Sequence, residues 1–170
     1  MTKQMDFFDL VITGTSQSVQ AAISSGADLN ARNSHDKTPL MCAAEYNQHP
    51  EVITTLLEAG VDIEARDDHG ETSLMYAAWF NSNPEVTAAF LKAGVDVNAQ
   101  NNRGGTAMMF AAMYNKNPEV ITTLLTAGAD VKAKDLRGKT AFDYAQKNAR
   151  LTGTAAYRRL QEASEESRRV

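Results

Sequence analysis

The sequence predicts an all-α solenoid: about five stacked helix-turn-helix units joined by turn and hairpin loops. Three observations predict it. A period of 34 residues runs along the 170-residue chain, shared by Thr38, Thr72, Thr106 and Thr140, by Ala43, Ala77, Ala111 and Ala145, and by Pro50, Pro84 and Pro118. Gly60, Gly94 and Gly128 keep the same step, as do Asp62, Asp96 and Asp130, and Gly26 and Asp28 extend both series upstream. Finally, each period holds two short segments of helix-like apolar spacing, bounded by start and stop residues.

The unit from Ala65 to Asn98 shows how each element follows. Asp67-Asp68-His69-Gly70 is a turn, with acids that bond their own backbone and a glycine free to take positive φ. Thr72 caps a first helix over about Ser73–Phe80. Its Ala77-Ala78 pair lets a neighbouring helix approach closely. Asn81 suits a left-handed C-terminal position. Asn83 and Pro84 open a second helix as N-cap and first-turn residue, with Glu85 favoured there by the helix dipole. Val86, Ala89, Phe90 and Ala93 give that helix an apolar face, and Gly94 ends it. Val95, Val97 and Ala99 alternate with polar residues, as an extended return.

The chain reads as one array over residues 1–170. An N-terminal cap occupies 1–29, full units 30–63, 64–97 and 98–131, a C-terminal cap 132–165 and a tail 166–170. Phe7, Phe8, Leu10, Val11, Val19, Ala22 and Ile23 form an incomplete first helix pair, with Gln4, Asp6, Asp9, Gln17, Ser18 and Gln20 facing water. At the far end Gln146 breaks the Ala-Ala pair, Tyr157 and Leu160 close the core, and residues from Glu162 onward fray. Caps are needed because one such unit cannot bury its own apolar face.

Thr38-Pro39-Leu40-Met41-Cys42-Ala43-Ala44, with Gly26-Ala27-Asp28-Leu29-Asn30 and Gly128-Ala129-Asp130-Val131, resembles the ankyrin repeat family, Met41 replacing the usual histidine. The linker Asn81-Ser82-Asn83-Pro84 makes this period one residue longer than the family's, and is similar to linkers of bacterial ankyrin repeat proteins. The Thr-Pro pair becomes Thr72-Ser73, Thr106-Ala107 and Thr140-Ala141 in later units. The resemblance covers nearly the whole chain and implies a non-catalytic module that binds a protein on its concave face.

Bulk composition narrows the alternatives. With 43% hydrophobic and 22% charged residues, the chain is ordinary for a folded protein and unlike a disordered one. The net charge of −4 argues against nucleic acid as partner. Residues 1–138 carry ten basic and 17 acidic side chains, a net of −7, while residues 139–170 are at +3. The single cysteine, Cys42, fits a reducing compartment. No apolar run reaches secretory or membrane-spanning length. A cytoplasmic monomer with no membrane contact, metal or cofactor is expected.

Apparent catalytic motifs dissolve into the repeat. Residues Ala133 to Thr140 match a relaxed phosphate-loop pattern, but the same eight positions recur at Ala31, Ala65 and Ala99, and no buried strand precedes them. His35 and His69 sit at equivalent tips, about 8–10 Å apart as neighbouring helices are, too far to share a zinc with ligand bonds of about 2 Å. His49 falls at an N-cap. Cys42 stands where other units have Tyr76, Phe110 and Tyr144, all large and apolar, so it reads as a small core residue. No enzyme is expected.

Positions free of the repeat's own needs are the candidate binding residues. At the tips they are Arg32, His35, Arg66, Asp68, His69, Glu71, Gln100, Asn102, Arg103 and Arg137, with Lys37 and Gly105 beside them. On the first helices they are Glu45 and Tyr46, Trp79 and Phe80, and Met113 and Tyr114. Trp79 is the only tryptophan, and its equivalents Glu45, Met113 and Lys147 show that the core does not dictate the position. Interfaces favour tryptophan as an anchor, which makes Trp79 with Met113 the leading contact. Tyr46, Phe80 and Tyr114 are aromatic in every full unit, which points to packing ahead of contact. A scaffold or self-associating chain with no groove partner is the alternative.

Overall fold

The computed structural model describes residues 6–168. It holds ten helices in five consecutive pairs and, among the described residues, no strand. The first members are α1 (Phe7–Thr13), α3 (Pro39–Tyr46), α5 (Ser73–Phe80), α7 (Ala107–Tyr114) and α9 (Ala141–Ala145). The second members are α2 (Ser16–Ser24), α4 (Pro50–Glu58), α6 (Pro84–Lys92), α8 (Pro118–Thr126) and α10 (Ala155–Arg168). First members pack on first members, α1–α3–α5–α7–α9, and second on second, α2–α4–α6–α8–α10, giving an inner and an outer layer.

Sequence chemistry explains the boundaries. The hydroxyl of Thr38, Thr72, Thr106 or Thr140 accepts from the third backbone N–H of its helix. Asn83 and Asn117 cap α6 and α8 through Glu85 N and Glu119 N, each followed by proline in the first turn. Gly94 ends α6 with φ of 86°. The core runs between the layers: Ala43, Ala44, Ala77, Ala78, Ala111 and Ala112 are completely buried, as are Val52, Ile53, Val86, Phe90, Val120 and Ile121. Val11 and Val19 seal one end. Leu160 seals the other, where Tyr157 meets Phe142 edge-on at 5.4 Å.

Three expectations change. Asn81 is not left-handed: its φ of −88° and ψ of 120° are extended, because its side chain is needed elsewhere. The stretch 95–99 forms a tight turn held by Ala99 N donating to Asp96 O and Asn98 N donating to Asp96 Oδ1, not an extended return. Residues from Glu162 do not fray at once, since α10 continues through Arg168. Residues 169–170 of the expected tail lie outside the described residues, as does Gln4. The inner helix α9 has only five residues, and Gln146 just beyond it is exposed.

Asn81 belongs to a side-chain ladder through the array. Its Nδ2 donates to Ala44 O at 3.1 Å and Asn47 O at 2.8 Å in the preceding unit, and its Oδ1 accepts from Asn83 N. Asn115 repeats the pattern on Ala78 O and Asn81 O, and Asn47 on Val11 O and Gly14 O. Asn148, 33 residues after Asn115, reaches Ala112 O and Asn115 O. All four asparagines are buried. The carbonyls at the end of each inner helix lack intrahelical donors, and the following unit's asparagine supplies them.

Two hydroxyls interrupt the order. Among the described residues, Ser73 Oγ and Thr87 Oγ1 are buried without a hydrogen-bond partner. Position 87 is Ile53 and Ile121 in the neighbouring units, so the packing is built for an aliphatic group. Thr87→Val keeps the shape and removes the unsatisfied hydroxyl. It is expected to stabilise the chain by about 1 kcal/mol, seen as a higher urea midpoint with unchanged slope.

Candidate functional site

The candidate face is built from the turn tips and the outward side of the inner helices. Each tip is organised by one Asx residue. Oδ1 of Asn33, Asp67, Asn101 or Asp135 accepts the backbone N–H groups two and four residues on. The residue three positions on takes positive φ: Asp36 at 57°, then Gly70, Gly104 and Gly138. At Gly70 a Cβ would also lie 2.4 Å from Asn102 Oδ1, so that glycine is fixed by both conformation and space. The Asx residue couples to the inner helix nine positions later. Tyr76 donates its hydroxyl to Asp67 Oδ2 at 2.7 Å, Tyr144 donates to Asp135, and Asn33 Nδ2 approaches Cys42 Sγ at 3.5 Å. Tyr76 and Tyr144 are therefore not merely apolar fillers. Burial pushes the Cys42 thiol up to about 11, which leaves it a core residue without nucleophilic character.

Several predicted contact residues hold the tips together. Arg32 donates to Asp36 O and to Arg66 O of the next unit, at 2.7 and 2.8 Å. Arg66 likewise reaches Gly70 O and Gln100 O. Asn102 binds Asp68 O through Nδ2 and His69 O through its backbone N–H. Arg137 is spent on Asp135 Oδ2 and the Tyr144 hydroxyl. Gln100, His35, Asp68, His69 and Arg103 are exposed along the rim. So is Leu136, a tip residue 80% exposed.

The inner helices supply an aromatic row. Trp79 is half-buried and stacks on Phe80, Phe110 and Tyr114, with ring centroids at 4.5, 4.9 and 5.0 Å. Tyr76 and Phe80 stack at 6.3 Å. Tyr46, Phe80 and Tyr114 are about half exposed, at 53%, 47% and 48%. Their recurrence suggested packing first; Phe80 and Tyr114 do pack on Trp79, and all three stand at the end of their inner helix. Beside this row lies a cavity of about 170 Å³. Trp79, Phe110, Met109, Met113 and Tyr114 line one side, and Glu71, Asn101, Arg103, Gly105, Asp135 and Arg137 the other.

Two acids differ from the expected surface role. Glu45 is only 6% exposed, because Lys37 folds over it with Nζ 2.5 Å from Oε2 and 4.2 Å from the Tyr76 ring centre. Glu71 is 9% exposed, and among the described residues it joins no ion pair. Asn101 Nδ2 approaches its Oε1 at 3.4 Å. Burial, reinforced by the nearby Asp67 charge, holds the Glu71 carboxyl above its usual range. A carboxyl raised on folding binds its proton more firmly in the folded state, so its contribution to stability falls as pH rises through that titration. Glu71→Gln keeps the shape and removes the charge. It is expected to raise Tm at pH 7, with the gain shrinking as the pH falls through the carboxylate range. Calorimetry at pH 7 and pH 4 checks both signs.

A family model described as ankyrin repeats (3 copies) matches residues 8–101 and 74–155. No curated protein matches the chain. Among the described residues no helix is long and apolar enough to cross a membrane.

Proposed function

The chain belongs to the ankyrin repeat family, and from that premise we propose that it is a non-catalytic module that binds a protein partner along its concave face. Ankyrin repeats are generally protein–protein interaction modules. The observation that carries the finer reading is the aromatic row. Phe80 and Tyr114, each about half exposed, flank the stacked Trp79 beside an open cavity. Apolar groups left in water at the centre of a rigid face are what a partner's burial would reward. The rim residues His35, Asp68, His69, Gln100 and Arg103 are exposed and polar, the usual surround of such a centre. The partner offers a protruding segment with apolar groups and mixed charge, and the module itself acts as a monomer in the cytoplasm.

Site-specific crosslinking tests this. A photoreactive amino acid at Tyr114 is expected to capture a discrete partner from native lysate. The same group at Thr122, exposed on outer helix α8, is expected to capture none. Equal capture from both faces sinks the concave-face reading. Crosslinks only between copies of the chain favour the self-associating scaffold.

A further inference from the structure

The cavity beside Trp79 has a chemistry that the chain itself illustrates one unit earlier. There the Lys37 ammonium lies between the buried Glu45 carboxylate and the ring of Tyr76. Positions equivalent to Lys37 are Glu71 and Gly105 in the next two units, and those equivalent to Tyr76 are Phe110 and Tyr144. Around the cavity, therefore, the lysine has become an acid in one unit and has no side chain at all in the next. The aromatic rings remain and a carboxylate is present, but neither unit has a lysine at the position that Lys37 holds. Glu71 is buried and, among the described residues, in no ion pair, with Asp67 as a second buried acid beside it. Of the two arginines at the cavity, Arg137 is engaged by Asp135 and Tyr144, and Arg103 is exposed at the rim, where solvent screens it.

Size narrows the ligand. A volume of about 170 Å³ falls below the roughly 300–1,000 Å³ of small-molecule sites. It suits one side chain rather than a cofactor. Residues 1–138, which contain all but one of the cavity's lining residues, carry a net charge of −7. The array as a whole therefore favours the approach of a basic partner segment.

We infer that the cavity receives a lysine side chain from the partner segment, with Glu71 as its counter-ion and Trp79, Phe110 and Tyr114 as its wall. The inference rests on the partner-binding reading of the concave face and names what that partner presents at its centre. The aliphatic stem lies along Trp79 and Met113, and the ammonium meets Glu71, as Lys37 meets Glu45.

The test uses the full chain and n-butylammonium chloride as probe, at constant ionic strength. Trp79 is the only tryptophan, so its fluorescence reports on this cavity alone, and the Gly105 amide resonance gives a second readout. Saturable changes in both are expected, with n-butanol and butyrate each at least about tenfold weaker. Glu71→Gln, which is expected to fold at least as stably, should weaken the ammonium at least about tenfold. The inference is overturned if n-butylammonium gives no saturable change, if butyrate binds as well as it does, or if Glu71→Gln leaves its affinity intact. Crosslinks from Tyr114 that persist while the ammonium fails to bind would leave the partner reading standing and remove this one. Ammonium binding without any Tyr114 crosslink would do the reverse for the partner.

Discussion

Asn81→Ala is expected to lower the stability of the array by about 3–5 kcal/mol. The side chain is completely buried. It satisfies three backbone groups: Ala44 O, Asn47 O and Asn83 N. Alanine leaves all three without their partner, and an unsatisfied buried polar group costs about 1–3 kcal/mol. Water entering the shortened site recovers part of this, which keeps the total near the lower end of the sum. Asn83 provides the contrast. Its side chain lies nearer the surface and reaches Gln48 O and Glu85 N, so Asn83→Ala should cost only about 1 kcal/mol. Urea denaturation of both variants, followed by circular dichroism, measures the difference. Because neighbouring units communicate only through their shared interface, Asn81→Ala should also broaden the transition. Equal losses for the two variants would mean that the ladder is incidental to stability.

Trp79→Ala is expected to weaken partner binding by at least about thirtyfold, equivalent to about 2 kcal/mol or more. The ring is held between Phe80 on its own helix and Phe110 and Tyr114 on the next, so it is ordered before any partner arrives. A pre-ordered aromatic loses little freedom on binding. Its removal also opens the floor of the cavity to water. The half-buried ring contributes to stability too, at about 1–2 kcal/mol through stacking and area, so folding must be followed in parallel. Titration of the crosslinked partner against both proteins, below their unfolding transitions, separates the two effects. A change under threefold in Kd with the fold intact would remove Trp79 as the anchor.

Much of the architecture was legible because periodic constraints leave periodic residues. The α5 boundaries, the Asn83–Pro84 start of α6 and the Gly94 stop were all readable from Thr72, Asn81, Asn83 and Gly94. Asn81 was misread because asparagine suits two jobs at a helix end, a left-handed backbone or a side chain that bonds a neighbour. Its recurrence as Asn47 and Asn115 was the available signal, since a left-handed stop is normally glycine. The Asn33, Asp67, Asn101, Asp135 series was equally regular and equally informative.

The candidate face was less legible. Glu45 shares its position with Trp79, Met113 and Lys147, and variability there looked like surface freedom. In fact a partner eight residues upstream, Lys37, decides its burial. The tip-bridging role of Arg32 and Arg66 was hidden for a related reason. Their acceptors are carbonyl oxygens of the next unit, and carbonyls leave no mark in a sequence. The cavity at Gly105 depends on what is absent from one unit and present in others, visible only once the units are stacked.

The ladder also bears on how such a chain can change in length. Every rung donates from one unit to main-chain carbonyls of the unit before it, and main chain is the same whatever side chains surround it. A duplicated unit would find its acceptors ready and would offer the same ones to its successor. The joint is generic while the concave face is particular. Lengthening, shortening or shuffling units can therefore proceed without rematching this hydrogen-bonded joint, leaving only the side-chain contacts between neighbours, such as Trp79 on Phe110, to be refitted.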